Sequence, residues 1–397
     1  MCLQPGQGSP PGFAVLRLWR CGSSGSGGHL DLSLHPSHLT RLQTEVRGAP
    51  ETELTLAPKT PADLADILRY ATEKGMRVQV WGGGTRQGYG SPASPDIVLS
   101  TENLTEVEVW EPEDLTLVVG AGARVGDIET MLAQRRQTAV LPEVPGDSTV
   151  GGVIATGVSS LRRGRLYGTR ERVLEATVVT GDGRVVRSGG RVVKNVTGYD
   201  LHRLSVGAFG SLGVVVSVCF KLWPIPPAAA TVTVDDPSRA EVLARPLAVL
   251  EENHRTRVFV WGTPAEVEAK VSRLGGEAIN GNEWPADPEG RFRWSLRVPP
   301  ALTSEAIAQL PGGWRYLAVH GVGEIRLASD DAGGAAELRI WAESRGGHLV
   351  VVQAPSDALD GFDPWGAPPP ALDLQRRLIA EFDPGRVINP GRLPGGL

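Results

Sequence analysis

The sequence has 397 residues, of which 41% are hydrophobic and 21% charged, and its formal net charge is −5. This length allows two or three domains with a sizeable core. The slight negative charge excludes the concentrated basic surface of a nucleic-acid-binding protein, so we expect no nucleic-acid partner.

The N-terminal segment, residues 1–45, is rich in Gly, Ser and Pro. Two stretches within it, Pro5–Gly12 and Gly22–Gly28, lack the apolar content that would offset the entropy lost on ordering. We therefore predict a poorly ordered extension over residues 1–45. We expect His35 and His38 to be solvated there rather than to act as ligands.

A β-α-β unit is predicted after residue 50. Glu53–Ala57 alternates like a short strand. Thr60 and Pro61 fit the N-cap and first position of a helix, and Gly75 fits its end. Arg77–Trp81 is then the second strand of the unit, and it runs directly into a glycine loop.

That glycine loop, Gly82–Gln87, follows the carboxyl end of the predicted strand. Glycines let the backbone approach a phosphate group and curl into a nest of N–H donors. Thr85 adds a hydroxyl and Arg86 adds a positive charge. The loop predicts a phosphate-binding site, and the alternative is a glycine turn at a crowded strand end.

A second strand and helix are predicted at Leu115–Val119 and Val125–Gln134. Between them, Gly120–Gly126 imitates the dinucleotide fingerprint of a Rossmann fold. That fold would next need a strand ending in an acidic residue, but the chain instead enters a proline-rich segment. We therefore do not predict a nicotinamide-binding site at Gly120–Gly126.

A second phosphate-type loop is predicted over Pro145–Gly157. Ser148 and Thr149 offer hydroxyl groups, and Gly151-Gly152 permits close backbone approach. The alternative is a packing interface of small residues, because small side chains alternate from Ala155 to Ser159.

Two further segments allow two interpretations each. Five arginines lie between positions 162 and 172, and they form either a solvated face or a docking surface for a partner. In Val192–Leu201, Lys194 and Asn195 are candidate hydrogen-bond donors to a flavin or a substrate anion. The alternative there is a capped loop in which Asp200 caps a helix that begins at Leu201.

The composition changes after Pro226, where a smaller α+β domain is predicted. Ahead of it, strands are predicted at Val173–Thr180 and within Leu212–Leu222, with a hairpin turn at Asp182-Gly183. In the smaller domain, strands are predicted at Thr231–Val234, Arg257–Trp261, Arg293–Val298 and Leu349–Gln353, and helices at Pro264–Leu274 and Ala335–Ser344. An amphipathic helix is predicted at Leu372–Phe382.

The sequence predicts neither a metal site nor a membrane-spanning segment. The cysteines Cys2, Cys21 and Cys219 form no CxxC pair, which argues against a zinc site or an iron–sulfur cluster. No apolar run reaches the roughly 18 residues of a membrane span, and the first forty residues lack the apolar core of a signal peptide. We expect a cytoplasmic location, with any association to the inner face of the plasma membrane running through partners.

Five segments occur in an order that is specific to one family. They are Gly82–Thr85, Asp147–Gly152, Lys194–Leu201, Val206–Val214 and Phe382–Arg392. Together they resemble the vanillyl-alcohol oxidase / p-cresol methylhydroxylase (PCMH) type of FAD-binding domain. The resemblance is good over residues 50–226 and the last 20 residues, and looser between them.

This resemblance implies an α+β fold with four parts: the extension, a two-subdomain PCMH-type FAD-binding domain over 46–226, a smaller α+β cap over 227–370, and a segment, 371–397, that returns to the FAD-binding domain. By position, the implied FAD-binding residues are Gly82, Gly83, Gly84, Thr85, Arg86, Gln87, Pro145, Gly146, Ser148, Thr149, Gly151, Gly152, Thr156, Gly157, Val214 and Asn389.

Two departures from the family pattern matter. No His or Cys lies between residues 39 and 201, where many members attach FAD covalently, so we expect non-covalent FAD. Hydroxyacid dehydrogenases of the family use a histidine pair in the cap. Here His254, His320 and His348 are far apart in sequence, so no catalytic residue is assigned.

Within the family, the sequence looks most like the FAD-binding subunits of glycolate oxidase-type complexes. That likeness implies oxidation of a small 2-hydroxy acid, glycolate or D-lactate, to the 2-oxo acid. It also implies a larger FAD-linked subunit and an iron–sulfur subunit as partners. Two alternatives stay open: a stand-alone FAD-dependent dehydrogenase or oxidase of a small hydroxy acid or alcohol, and a non-catalytic scaffold subunit with a flavin fold.

Overall fold

The computed structural model describes residues 39–52, 54–91, 94–192, 198–355, 358–359 and 361–397. The predictions for Cys2, Cys21, His35, His38, Lys194 and Asn195 lie outside these ranges. Of the extension predicted over residues 1–45, Leu39 and Leu42 are described and buried. Packed structure therefore begins before residue 45.

The first subdomain is built on a three-stranded parallel sheet. Its strands are β1 (Leu54–Leu56), β2 (Val78–Trp81) and β3 (Ile97–Ser100), in the order β1-β3-β2. Helix α1 (Pro61–Lys74) connects β1 to β2. The predicted β-α-β unit is confirmed, but β3, which was not predicted from the sequence, lies between its two strands.

Local signals fix the ends of α1 as predicted. The Thr60 side chain accepts a hydrogen bond from the Asp63 N–H, and the Asp63 carboxylate accepts one from the Thr60 N–H. This reciprocal pair satisfies two N–H groups that the helix itself leaves free. At the other end Gly75 adopts a left-handed conformation with φ of 64°, which glycine takes without a steric cost.

The C-terminal segment lies against this first subdomain. The Val78 N–H donates to the Val387 carbonyl at 2.7 Å, and the Asn389 N–H donates to the Val78 carbonyl at 2.8 Å. Val387 and Ile388 are buried in the same core as Leu39 and Leu42. The pairing brings Asn389, which is more than 300 positions away in sequence, to the side of β2.

The second subdomain is a five-stranded antiparallel sheet in the order β4-β5-β9-β7-β8. Its strands are β4 (Val107–Glu111), β5 (Thr116–Gly120), β7 (Val173–Val179), β8 (Val185–Gly189) and β9 (Val214–Lys221). A short pair, β6 (Gln137–Thr138) and β10 (Trp223–Pro224), lies beside it. The helices are α2 (Val125–Ala133), α3 (Val150–Thr156), α4 (Arg163–Leu166) and α5 (Thr169–Arg172).

The Rossmann-like glycines have a packing role. Strand β5 is antiparallel to both of its neighbours, whereas the dinucleotide fingerprint belongs to a parallel sheet. A Cβ at Gly120 would overlap the carbonyl oxygen of Leu104, and one at Gly122 would overlap that of Thr101. These glycines therefore let two backbone segments approach each other.

The second phosphate-type loop differs from its prediction, because residues 150–156 within it form helix α3. Thr149 is the N-cap, and its hydroxyl accepts a hydrogen bond from the Gly152 N–H at 3.2 Å. The Thr156 hydroxyl donates to the Gly152 carbonyl at 2.7 Å. A threonine cap starts the helix in spite of its two glycines.

The cap domain is an eight-stranded antiparallel sheet in the order β14-β11-β13-β12-β16-β17-β15-β18. Its strands are β11 (Ala228–Val234), β12 (Ala248–Glu252), β13 (Arg255–Gly262), β14 (Glu277–Asn280), β15 (Phe292–Arg297), β16 (Arg315–Val319), β17 (Glu324–Ser329) and β18 (His348–Gln353). Its helices are α6 (Pro264–Leu274), α7 (Thr303–Ala308) and α8 (Ala335–Glu343). Helix α9 (Leu372–Phe382) follows the cap. Four of these strands, β12, β14, β16 and β17, were not predicted.

The cap is seated on the second subdomain through a shared apolar core. Val140, Leu161 and Leu166 pack against cap residues that include Phe259 and Leu317. The α+β fold class is thus confirmed.

Among the helices that the structure describes, none combines the length and the apolar character required to cross a membrane.

Candidate functional site

A cleft runs between the two subdomains and encloses about 940 Å³ of space that is partly open to solvent. The sequence-predicted residues that line it are Gly82, Gly83, Gly84, Thr85, Arg86, Gln87, Ser148, Thr149, Gly151, Gly152, Thr156, Val214 and Asn389. Pro145, Gly146 and Gly157 do not line it. The two loops, the strand β9 and the C-terminal segment therefore meet at one place.

The two loops are packed directly on each other. A Cβ at Gly83 would overlap the backbone carbonyl of Asp147, and one at Gly82 would overlap the Thr149 hydroxyl. The Thr85 and Ser148 hydroxyl oxygens are 3.0 Å apart and share a hydrogen bond. The two loops can therefore pack together on one side of the cleft only because Gly82 and Gly83 have no side chains.

The first loop offers donors that no protein acceptor uses. Within the described part of the chain, the N–H groups of residues 83–86 donate to no protein atom. The Arg86 Nε is also buried without a partner, and burial lowers the pKa of this guanidinium. An unpaired buried donor such as this Nε is costly, and the N–H groups of the half-buried residues 83–86 lie beside it. This side of the cleft therefore fits an anionic ligand with several oxygen acceptors, such as a pyrophosphate.

The three predicted residues outside the cleft shape the second loop. The Pro145 carbonyl accepts from the Ser148 N–H at 2.9 Å, and the Gly146 carbonyl accepts from the Arg124 guanidinium at 3.5 Å. Gly157 ends α3 with φ of 66°, and its Cβ would lie 3.1 Å from the Gly207 Cα. These residues position the loop and its helix.

Asn389 links the C-terminal segment to both sides of the cleft. It is 6% exposed and has φ of 47°. Its Oδ1 accepts from the Val80 N–H at 3.0 Å, and its Nδ2 donates to the Phe209 carbonyl at 2.7 Å. Asn389 therefore holds the Phe209–Gly210 turn, which also lines the cleft, against β2.

Arg392 lines the cleft and was missed from the sequence. It is 4% exposed, and its guanidinium donates to the Gln87 side chain at 2.7 Å, the Gln87 carbonyl at 2.9 Å and the Tyr89 carbonyl at 2.8 Å. Burial lowers its pKa. Its position in the Asn389–Arg392 segment, three residues after Asn389, was the available signal.

A second cavity of about 500 Å³ adjoins the cleft, and Arg86, Thr156 and Val158 line both. We call it the arginine chamber. Its charged lining residues are Arg86 from the first loop and Asp287, Arg293, Arg297, Glu324 and Arg326 from the cap. Tyr89 and Ser295 add hydroxyl groups to its wall.

Asp287 is the acceptor at the centre of the chamber wall. Its carboxylate lies 2.6 Å from Arg326, 2.9 Å from Arg293 and 3.7 Å from Arg86. Burial alone would raise the pKa of Asp287, but these three guanidinium groups hold it below its usual range. Asp287 is therefore ionised at neutral pH.

Glu324 anchors the other side of the chamber. It lies 3.0 Å from Arg163, 3.2 Å from Arg326 and 3.3 Å from Arg297. Burial opposes ionisation, yet Arg326, Arg297 and Arg163 lower the pKa of Glu324 to about 2. The pKa of Arg326 is raised because the two carboxylates outweigh its burial. The bond from Arg163 joins the second subdomain to the cap.

The chamber residues that the cap contributes were not predicted as site residues, although their spacing in the sequence carries a signal. In β15, Phe292, Trp294 and Leu296 are buried under the cap helices, while Arg293, Ser295 and Arg297 alternate with them and line the chamber. Successive side chains of a strand point to opposite faces. A polar set at alternate positions predicts a second polar face, but it does not identify what that face meets.

The arginine cluster over residues 162–172 divides between two roles. Arg162 pairs with Glu143 at 3.1 Å, Arg163 pairs with Glu324, and buried Arg172 bonds the Lys221 carbonyl. Burial lowers the pKa of Arg172 to about 10. Arg165 and Arg170 form no side-chain hydrogen bond or ion pair within the described residues. The solvated face is therefore wrong for three of the five, and the docking surface stays a prediction.

The other sequence-predicted groups lie elsewhere. The Asp200 side chain makes no capping hydrogen bond to the 3₁₀ helix Leu201–Ser205, so that predicted cap is wrong. His320 lies 2.9 Å from the Glu251 carboxylate, whose other oxygen accepts from Tyr316. His254 also contacts Tyr316, so two distant histidines meet at Glu251. None of these residues lines either cavity.

Cys219 is the one described cysteine, and it is buried in β9. Burial raises the pKa of its thiol to about 11, which keeps it protonated and unreactive. In the described part of the chain, no group of three His, Cys, Asp or Glu side chains is placed to hold a metal ion.

Comparison with known proteins gives a family match over part of the chain. Residues 52–189 match the family described as FAD binding domain. The chain is 29% identical to glycolate oxidase subunit GlcE of Escherichia coli over 310 residues, which covers 72% of this chain and 83% of that subunit. It is 37% identical to D-lactate dehydrogenase of Archaeoglobus fulgidus over 180 residues, covering 44% of this chain and only 40% of that enzyme.

Solved structures agree on the fold. Alkyldihydroxyacetonephosphate synthase aligns with a TM-score of 0.60 over 85% of this chain and 75% of that protein, at 12% identity.

A further sequence relative is glycolate oxidase subunit GlcD of Bacillus subtilis, which is 30% identical over 217 residues, half of this chain and 46% of that subunit. The chain thus spans less than half the length of both GlcD and the D-lactate dehydrogenase.

Proposed function

The chain carries an FAD binding domain over residues 52–189, and from this premise we propose that it is the FAD-binding subunit of a glycolate oxidase-type complex. In this complex a small 2-hydroxy acid, glycolate or D-lactate, is oxidised to the 2-oxo acid. The observation that carries the proposal is the extent of the likeness to GlcE, which includes part of the cap as well as the FAD-binding domain.

The residues that we propose to hold FAD are chosen from those that line the cleft. The N–H groups of residues 83–86 and the Arg86 Nε receive the pyrophosphate, because they are donors without protein partners in the described part of the chain. The second loop and the strand around Val214 line the remaining length, and Asn389 holds the turn beside it. Pro145, Gly146 and Gly157 act indirectly, by shaping that loop.

FAD supplies, when bound, an acceptor for the hydride that leaves C2 of the hydroxy acid. The chain's own residues bind and orient. Among the described residues that line the cleft, none is a His or Cys that could form a covalent link, which supports non-covalent attachment. Arg392 fixes Gln87 and therefore the shape of the first loop.

The proposed partners are a larger FAD-linked subunit and an iron–sulfur subunit. Iron–sulfur clusters are held by cysteine thiolates, and the whole sequence contains three cysteines without a CxxC pair. The proposed iron–sulfur subunit would supply the one-electron carrier that these cysteines do not form. The likeness to GlcD, which covers half of this chain, supports a relationship between the two FAD-binding subunits.

The test is purification of the chain alone and after co-expression with its two proposed partners. We expect a yellow protein whose flavin is released by acid, and co-purification of a partner with a broad iron–sulfur absorption band. A colourless chain would overturn the FAD assignment. Turnover of glycolate or D-lactate by the isolated chain with an artificial electron acceptor would favour the stand-alone enzyme instead. Full activity of a complex whose GlcE-like subunit has lost FAD would favour the scaffold.

A further inference from the structure

We propose that the arginine chamber is a binding site for a small dicarboxylate. This inference rests on the proposed function, since the chamber adjoins the cleft to which FAD is assigned. The supporting observation is the set of charged side chains that two paired cap strands, β15 and β17, contribute to the chamber wall.

The strand register builds the chamber wall. Strands β15 and β17 are antiparallel neighbours in which Ser295 is paired with Arg326, and Arg297 with Glu324. Their other faces carry Leu296 and Ile325, which belong to the core beneath the cap helices. Alternation along two paired strands therefore gathers the charged side chains on one face.

The cluster contains more positive than negative charge. Five guanidinium groups, those of Arg86, Arg163, Arg293, Arg297 and Arg326, surround only the two carboxylates of Asp287 and Glu324, which leaves three positive charges in excess. The nearby carboxylate of Glu143 does not reduce the excess, because Arg162 pairs with it at 3.1 Å.

The cofactor cleft accounts for at most one of these charges. Arg86 lines both cavities and is placed to serve the pyrophosphate. Without Arg86, the cluster still holds four guanidinium groups against two carboxylates: Arg293, Arg297 and Arg326 line the chamber, and Arg163 bonds Glu324 without lining it. Partly buried charge of one sign is unfavourable until an anion compensates it, so the remaining excess matches a ligand with two negative charges.

Neutral donors complete the site. The Tyr89 phenol lines the chamber, and burial raises the pKa of Tyr89, so its hydroxyl stays protonated and can donate. Ser295 lies between the two arginines of β15 and also faces the cavity. Guanidinium groups bind carboxylates through paired, charge-assisted hydrogen bonds. A dicarboxylate bound here lies next to the cofactor cleft, because the two cavities share Arg86, Thr156 and Val158.

The test measures carboxylate binding to the purified protein by isothermal titration calorimetry, with the change in flavin absorption as a second readout. The probes are malonate and succinate, compared with acetate and propionate at constant ionic strength. We expect the dicarboxylates to bind at least about tenfold more tightly, because the second carboxylate forms a further charge-assisted pair with the guanidinium groups. Equal affinity for both classes, or no binding of either, would overturn the inference.

Two chamber variants and one control locate the binding. Arg293→Gln and Arg297→Gln each remove one positive charge from the wall, whereas Arg345→Gln removes an exposed arginine that pairs with Glu305 outside the chamber. We expect about a tenfold loss of malonate affinity in each chamber variant and none in the control. Two variants are used so that misfolding of one leaves a result.

The outcomes also separate this inference from the proposed function. A wild-type protein that retains FAD but binds malonate no better than acetate contradicts only the chamber assignment. A colourless wild-type protein contradicts the proposed function, and calorimetry on that same protein still reports whether the chamber selects dicarboxylates. Wild-type malonate affinity in both chamber variants would place the anion elsewhere and reject the inference.

Discussion

Gly83 lies directly against Asp147, with so little space that a Cβ at position 83 would overlap the Asp147 carbonyl oxygen. The two loops that line the cleft therefore touch through backbone atoms. We expect Gly83→Ala, which adds one methyl group and no charge, to push the loops apart and abolish FAD retention. The measurement is flavin content per protein after gel filtration.

Gly146→Ala is the matched control for that variant. Gly146 lies in the second loop, but a Cβ added there meets no atom within 4 Å. It should retain FAD at the wild-type ratio. Normal FAD content in Gly83→Ala would show that the loops can separate without cost, and it would remove the contact from the description of the site.

Charge in the cleft can be tested at Gly152. A Cβ at this position meets only the Thr149 hydroxyl, at 3.4 Å, so side chains fit there better than at Gly83. The start of α3 faces the first loop, because Gly82 packs against Thr149. We therefore expect Gly152→Asp to weaken FAD binding by about 10- to 100-fold through repulsion of the pyrophosphate that the first loop receives. Fluorescence titration of the apoprotein with FAD measures the effect.

Gly152→Asn has nearly the same shape as Gly152→Asp and lacks the charge. It should bind FAD more tightly than the aspartate variant, and the difference should shrink at high salt. Equal losses in the two variants would mean that size rather than charge is what matters, and the phosphate groups would then lie away from α3.

The FAD-binding domain could be predicted well because its signals are local. A capping box sets the start of α1, and the glycine loop follows directly on β2. The meeting of Gly83 with Asp147 could not be predicted from these patterns, since it depends on how two subdomains pack. For the same reason, the sequence did not show that Gly157 contacts Gly207 instead of the cleft.

The arginine chamber could not be predicted from the sequence, because it depends on long-range strand pairing. Arg293 and Arg326 are about thirty positions apart, and only the pairing of β15 with β17 puts them on one face. Asp287, which both contact, lies outside the described strands and helices. Long-range pairing also explains how the two histidines meet. Strands β12 and β16 are neighbours, which brings His320 to Glu251, whereas His254 follows Glu251 by only three positions.

The C-terminal segment gives a third prediction. Asn389 makes two hydrogen bonds that connect β2 with the Phe209 turn. We expect Asn389→Ala to lower the free energy of unfolding by about 2–4 kcal/mol, because it leaves a buried N–H and a buried carbonyl without partners. Urea denaturation measures the change, and FAD affinity should fall with it because the turn lines the cleft.

Asn389→Gly separates the hydrogen bonds from the backbone conformation. Both variants lose the side chain, but glycine tolerates the φ of 47° and alanine does not. The glycine variant should therefore be more stable than the alanine variant by about 1 kcal/mol. If Asn389→Ala unfolded at the wild-type urea concentration, the link between the C-terminal segment and the cleft would carry no stability.

The last prediction concerns acid stability and depends on Glu324. The pKa of Glu324 in the folded protein is lowered to about 2, below the value of about 4.3 for an unfolded chain. A group with a depressed folded pKa stabilises the protein above its unfolded pKa, and this contribution is lost as the pH falls from about 5 towards 2. Urea denaturation at pH steps from about 7 down to about 3 should show this loss.

In Glu324→Gln, position 324 can no longer titrate, so the fall in stability below about pH 5 should be less steep than in the wild type. At neutral pH the variant should be less stable by about 3–5 kcal/mol, because Arg326, Arg297 and Arg163 lose a shared carboxylate in a buried place. Glu305→Gln, at the exposed partner of Arg345, is the control and should follow the wild type throughout. Identical slopes for Glu324→Gln and the wild type would show that the chamber carboxylate does not govern acid unfolding.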